Sequence, residues 1–89
     1  MSTPAVSMWR LPTTLSATGK RRSSHYDDIP KGLMTPPVCI GGRSVAWPDY
    51  EIEAIVAARI AGKSDDDIRE LVARLIAERQ NIPTTKIGR

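Results

Sequence analysis

Phenylalanine is absent from this chain of 89 residues, cysteine and histidine occur once each, and two Trp and two Tyr supply all its aromatic bulk. The lone cysteine, Cys39, excludes an internal disulfide framework. The lone histidine, His25, and the lack of clustered cysteines leave no zinc-ligand spacing. No apolar run approaches the ~18 residues of a membrane-spanning helix. Residues 1–10 lack the apolar centre of a secretory signal, so a cytoplasmic protein with no membrane partner is expected. Neither a Gly-rich phosphate loop nor a nucleophile motif is present. No enzymatic activity, cofactor or small-molecule substrate is therefore expected. A chain this short buries only about 60% of its unfolded surface, which counts against a deep enclosed pocket.

What is present is an ordinary globular mixture, 40% hydrophobic and 26% charged, enough for one small domain. The formal net charge is +3, and it is unevenly spread. Residues 1–47 carry six basic side chains against two acidic ones, whereas residues 48–89 carry seven against eight. A basic half joined to a nearly neutral half suggests one surface that meets a polyanion and one that does not.

The clearest periodicity lies near the end. Ile68, Leu71, Val72, Leu75 and Ile76 make one apolar helical stripe. Ser64 precedes it as a cap, with Asp65, Asp66 and Asp67 at the positive end of the helix. Pro83 limits continuation past Asn81. An earlier helix is expected to start at Pro48, with Ile52, Ile55, Val56 and Ile60 as its stripe. The link through Gly62 and Lys63 makes the two a helical hairpin.

Ahead of Pro48, Val38-Cys39-Ile40 and Val45-Ala46-Trp47 are short β-prone runs around Gly41-Gly42-Arg43-Ser44, which predicts a β-hairpin with a glycine turn. Trp47 is the candidate anchor for packing that hairpin on the helices, and Cys39 reads as an inert strand residue. Residues 11–33 read as helix, turn, helix. Pro12 suits a helix start and Gly19 its stop, and a second short helix follows between Arg22 and Ile29. Pro30 disfavours helix at Ile29.

The predicted architecture is α+β and mainly helical: a winged helix-turn-helix of two short helices and a β-hairpin wing, then two C-terminal helices. Residues 1–9 are expected to be a flexible N-terminus and 10–62 the DNA-binding domain. Residues 63–81 form a C-terminal helix that packs on the domain or on a partner, and 82–89 a flexible C-terminus. A helix offers a rod for the major groove of double-stranded DNA, and a hairpin tip carrying arginine suits the minor groove.

Arg10-Leu11-Pro12, Leu15, Thr18-Gly19, Arg22-Ser23-Ser24-His25-Tyr26, Gly32, Pro37-Val38, Ile40-Gly41-Gly42-Arg43, Val45-Ala46-Trp47 and Glu51-Ile52-Glu53-Ala54 carry a likeness to a known family, whose spacing from Gly19 to Arg43 they fit without a gap. In these residues the chain resembles the AlpA-type phage regulatory proteins, small relatives of excisionases and MerR-type winged-helix domains. The resemblance covers about residues 10–60. It implies a prophage-type transcription regulator that binds specific DNA sequences, or an excisionase-like factor that sets the direction of recombination. The chain departs from that pattern at Arg21, where a Ser or Thr cap is usual, and at His25, Asp27, Asp28 and Pro30. The two aspartates and Pro30 motivate a further alternative, a protein-interaction adaptor on the same fold.

Candidate DNA contacts are Lys20, Arg21, Arg22, Ser23, Ser24, His25, Tyr26, Lys31 and Arg43. Arg21 and Arg22 can read guanine or clamp phosphate. Ser23 and Ser24 can donate to phosphate or cap the helix. His25 can meet a base edge, be buried or simply lie on the surface. Tyr26 can reach a phosphate or join Ile29 and Leu33 in the core. Asp27 and Asp28 are expected near Lys20, Lys31 or the helix N-terminus. Arg43 is the wing contact. The five cations in this set give a salt slope no steeper than about −4.5. The stripe of the last helix is a candidate surface for homo-oligomers.

Overall fold

Pro12 and Gly19 bracket the first helix. In the computed structural model, which describes residues 6–81, α1 runs Leu11–Thr18 with proline in its first turn. Gly19, at φ 73°, ends it and donates its N–H to the Leu15 carbonyl at 2.8 Å. Only glycine adopts that left-handed conformation without strain, which is why the helix stops there. A second helix, α2, spans Arg22–Asp28. It ends at Asp28, but Ile29 keeps right-handed helical backbone (φ −60°, ψ −55°) although Pro30 follows, and the turn closes at Gly32, at φ 77°, beyond which the Leu33 N–H donates to the Asp28 carbonyl at 2.9 Å.

The β-prone runs form strands β2 (Val38–Gly41) and β3 (Ser44–Pro48). They pair antiparallel, with Val38 opposite Ala46 and Cys39 opposite Val45. Gly42 and Arg43 make the turn, with Gly42 at φ 53°. The expected hairpin and its glycine tip are therefore both present.

The expectation of a flexible stretch over 1–9 fails at its end. Met8–Trp9 is a short strand, β1, paired with β3 so that Trp9 lies opposite Trp47. Ser7 adds a bond, its carbonyl accepting the Asp49 N–H at 2.8 Å. The sheet thus has three strands in the order β1-β3-β2. Residues 1–5 of that expectation, and the whole of 82–89, lie outside the described residues.

Helix α3 covers Asp49–Ile60 and α4 covers Asp65–Glu78, followed by a 3-10 turn at Arg79–Asn81. Pro48 stands just outside α3 as its cap rather than inside its first turn. Ser64 caps α4 as expected, its hydroxyl accepting the Asp67 N–H at 3.1 Å.

The core gathers Leu33, Met34, Trp47, Ile52, Ile55, Ile68, Val72 and Leu75. Trp47 is fully buried and donates its indole N–H to the Thr35 carbonyl at 2.9 Å. An aromatic side chain of this size removes about 200 Å² from water, worth about 5 kcal/mol at the upper end. Two expected stripe members do not join: Ile60 is 82% exposed and Ile76 is 40% exposed. Each sits eight positions after the first residue of its stripe, about 80° round the helix from it at 100° per residue.

Candidate nucleic-acid interface

Helix α1 is tied down at its start, where the fully buried Thr14 donates its hydroxyl to the Arg10 carbonyl at 3.0 Å, and at the turn that leads to α2. The Thr18 hydroxyl accepts the Lys20 N–H at 3.3 Å. Lys20 pairs through its ammonium with the Asp28 carboxylate, whose side chain is only 9% exposed. The aspartate that would have repelled phosphate is thereby buried against its counterion, one of the arrangements expected for it. The same pair removes Lys20 from the set of free cations.

On α2 the side chains divide by face. Arg22, Ser23, Ser24 and Asp27 are exposed, as is Arg21 at the cap position. His25 and Asp28, three positions apart, point inward. Neither serine caps the helix: Arg21 occupies the cap position without a side-chain bond, and both hydroxyls stay on the outer face. The Arg22 guanidinium lies 5.7 Å from the Tyr26 ring centroid, a cation–π distance that restricts where the arginine points.

His25 is a correction to the expected set of contacts. It is fully buried, with neither ring nitrogen hydrogen-bonded, and so cannot meet a base edge. Its ring stands edge-on to Trp47 at 4.6 Å and to Tyr26 at 5.4 Å between centroids. Burial holds its pKa below the ordinary 6.5, against the opposing pull of Asp28, with Lys20 adding to the depression. Tyr26 is half-buried against the core with its ring 6.1 Å from Trp47, which favours the packing role named for it.

This aromatic trio connects the helix to the sheet. Trp47 belongs to β3, and β3 leads back to the hairpin tip. Arg43 lies four residues from Trp47, about 13 Å along a strand. It is exposed and forms no salt bridge among the described residues. The same is true of Arg21, Arg22 and Lys31. Lys31 sits in the loop after α2, where its backbone carbonyl accepts the Arg69 Nε–H of α4 at 2.9 Å. The aliphatic part of Arg69 also closes over Gly32.

One structural pair escaped the sequence reading. Glu51, in the first turn of α3, is fully buried and bonded by both oxygens to the Arg79 guanidinium at 2.7 Å. Arg79 also donates to the Pro36 carbonyl at 2.8 Å. The two residues are 28 positions apart, and no local pattern signals the pairing. Among the described residues no helix is long and apolar enough to cross a membrane.

No family model and no solved structure matches the chain. A curated relative does: it is similar, at 43% identity over 54 residues, to "Uncharacterized protein ORF88" of Enterobacteria phage P4. The match covers 61% of this chain and 61% of that protein, less than two thirds of the relative's length.

Proposed function

We propose that this protein is a sequence-specific binder of double-stranded DNA and acts as a phage-type transcription regulator. In this reading the molecule is a winged helix-turn-helix. Helix α2 enters the major groove, and the β2–β3 tip follows the neighbouring minor groove. The observation that carries the reading is the His25–Tyr26–Trp47 cluster, which ties α2 to the strand leading to the hairpin tip. Rigid coupling matters because two elements can read one duplex only if their spacing is fixed. Arg21, Arg22 and Arg43 are exposed, charged and without salt-bridge partners among the described residues. Arginine in these places can fork onto guanine in the major groove or enter the negative potential of a narrow minor groove. Ser23 and Ser24, with their hydroxyls on the outer face of α2, suit phosphate oxygens. The similarity to a phage protein supports the phage-type assignment.

Asp27 favours a second reading. It is exposed on α2, where a facing phosphate would repel it, and it suits an adaptor that docks on a basic protein surface instead. Selection from a pool of random duplexes separates the two. Enrichment of one consensus, with its score reduced by Arg22→Ala, supports the regulator. A pool that stays random after repeated rounds at low salt leaves the adaptor.

A further inference from the structure

Two arginines near the end of the chain bond to backbone carbonyls in the connection between α2 and β2. That connection, residues 29–37, joins the helix assigned to the major groove to the hairpin assigned to the minor groove. It is longer than the roughly 4–6 residues of an ordinary connection, long enough to be slack if nothing held it. Near its start, the Lys31 carbonyl accepts the Arg69 Nε–H at 2.9 Å. The Arg69 side chain also closes over Gly32, and Asp66, three positions earlier on α4, accepts a bond from the same guanidinium at 2.9 Å. Near its end, the Pro36 carbonyl accepts a bond from Arg79 at 2.8 Å. That guanidinium is fixed in turn by the buried Glu51. Between the two anchors, Leu33 and Met34 are buried in one core with Ile68, Val72 and Leu75 of α4.

We propose that α4 and the turn after it act as a splint, with Arg69 and Arg79 as positioning residues that fix the spacing between α2 and the β2–β3 tip. The inference deepens the proposed function and rests on it. Two contacts held at a fixed spacing reinforce each other through effective concentration, and a slack connection weakens that gain. The aromatic cluster couples α2 to β3 directly, and the two arginines add a second, independent hold on the connection between them. The last helix, expected to pack on the domain or on a partner, turns Ile68, Val72 and Leu75 into the core of its own chain.

Arg69 carries the test because it is exposed. Arg69→Met removes the guanidinium and keeps an aliphatic cover over Gly32, and its circular dichroism is expected to match wild type. Arg69→Gln takes its place should that variant fail to fold. In the free protein, the Gly32 and Leu33 amides donate to the Ile29 and Asp28 carbonyls. Their hydrogen exchange is expected to quicken by at least about threefold in the variant. On a selected duplex, affinity is expected to fall by at least about threefold. Arg43→Ala is expected to cost less in the Arg69→Met background than in wild type, because the hairpin contact then gains less from the fixed spacing. Unchanged exchange overturns the proposal, and so does unchanged affinity. Costs that simply add would make Arg69 an independent contact and overturn it as well. A wild-type chain that binds no duplex removes the proposed function and this inference with it, a result distinct from wild-type binding that Arg69→Met leaves intact.

Discussion

Protonating His25 would set a charge against the Trp47 and Tyr26 rings, where neither ring nitrogen has a hydrogen-bond partner. The folded chain therefore holds the histidine neutral below the pH at which the unfolded chain takes up a proton, near 6.5. Between the depressed folded value and 6.5 the unfolded state binds more protons, so stability falls as pH falls through that window. The loss is at most about 1.4 kcal/mol per pH unit. Urea titrations at pH 7.5 and 5.5 are expected to show it in the wild type, with a smaller drop in His25→Phe. The difference between the two isolates His25 from the carboxylates. Equal drops would mean the histidine is not held neutral. Lys20 makes a second case. The sequence groups it with the DNA-contacting cations, yet its ammonium sits on Asp28. Lys20→Met should cost on the order of 1–2 kcal/mol of stability by stranding a nearly buried carboxylate. It should leave the salt dependence of DNA binding almost unchanged.

Helix boundaries were legible wherever backbone chemistry is local. Gly19 and Ser64 stop or start elements through their own φ angle or hydroxyl, and each appears where the sequence indicates, whereas Pro30 leaves Ile29 in helical backbone. The hairpin was legible for the same reason, since Gly41-Gly42 permits the tight turn between two β-prone runs. Strand β1 was not. Two residues carry no alternation, and its existence depends on Trp47, 38 positions away in the register pair with Trp9. The last members of both helical stripes misled because an eight-residue step lies about 80° off the stripe's start, too far round once the core is thin. The clamp between Glu51 and Arg79 is likewise non-local, and it holds the end of α4 and the following turn onto α3. Removing one partner from a buried pair leaves an uncompensated charge, so Arg79→Ala is expected to lower stability by about 3 kcal/mol. Glu51→Gln is expected to cost less, because the buried group is then neutral. Chemical unfolding monitored by circular dichroism compares them, and an Arg79→Ala variant as stable as wild type would show that the pair contributes nothing.

Folding alters which cations of the basic half stay unpaired. Of the five basic candidates, Lys20 is neutralised in place, while Arg21, Arg22, Lys31 and Arg43 are exposed without a salt-bridge partner among the described residues. What the sequence could not convey is which cations are free, because Asp28 finds its partner only when α2 folds back on the turn. Four cations imply a slope of log affinity against log salt no steeper than about −3.6, at roughly −0.9 for each phosphate contact. The most direct test is fluorescence anisotropy on a selected duplex, repeated across a salt series for the wild type, Arg22→Ala and Arg43→Ala. The proposed function requires salt-sensitive binding with a slope within that limit, and in each variant either a slope shallower by about 0.9, for a phosphate contact, or a loss of preference for the selected duplex over a random one, for a base contact. Absence of binding at low salt, or variants that match the wild type in both slope and preference, would contradict it.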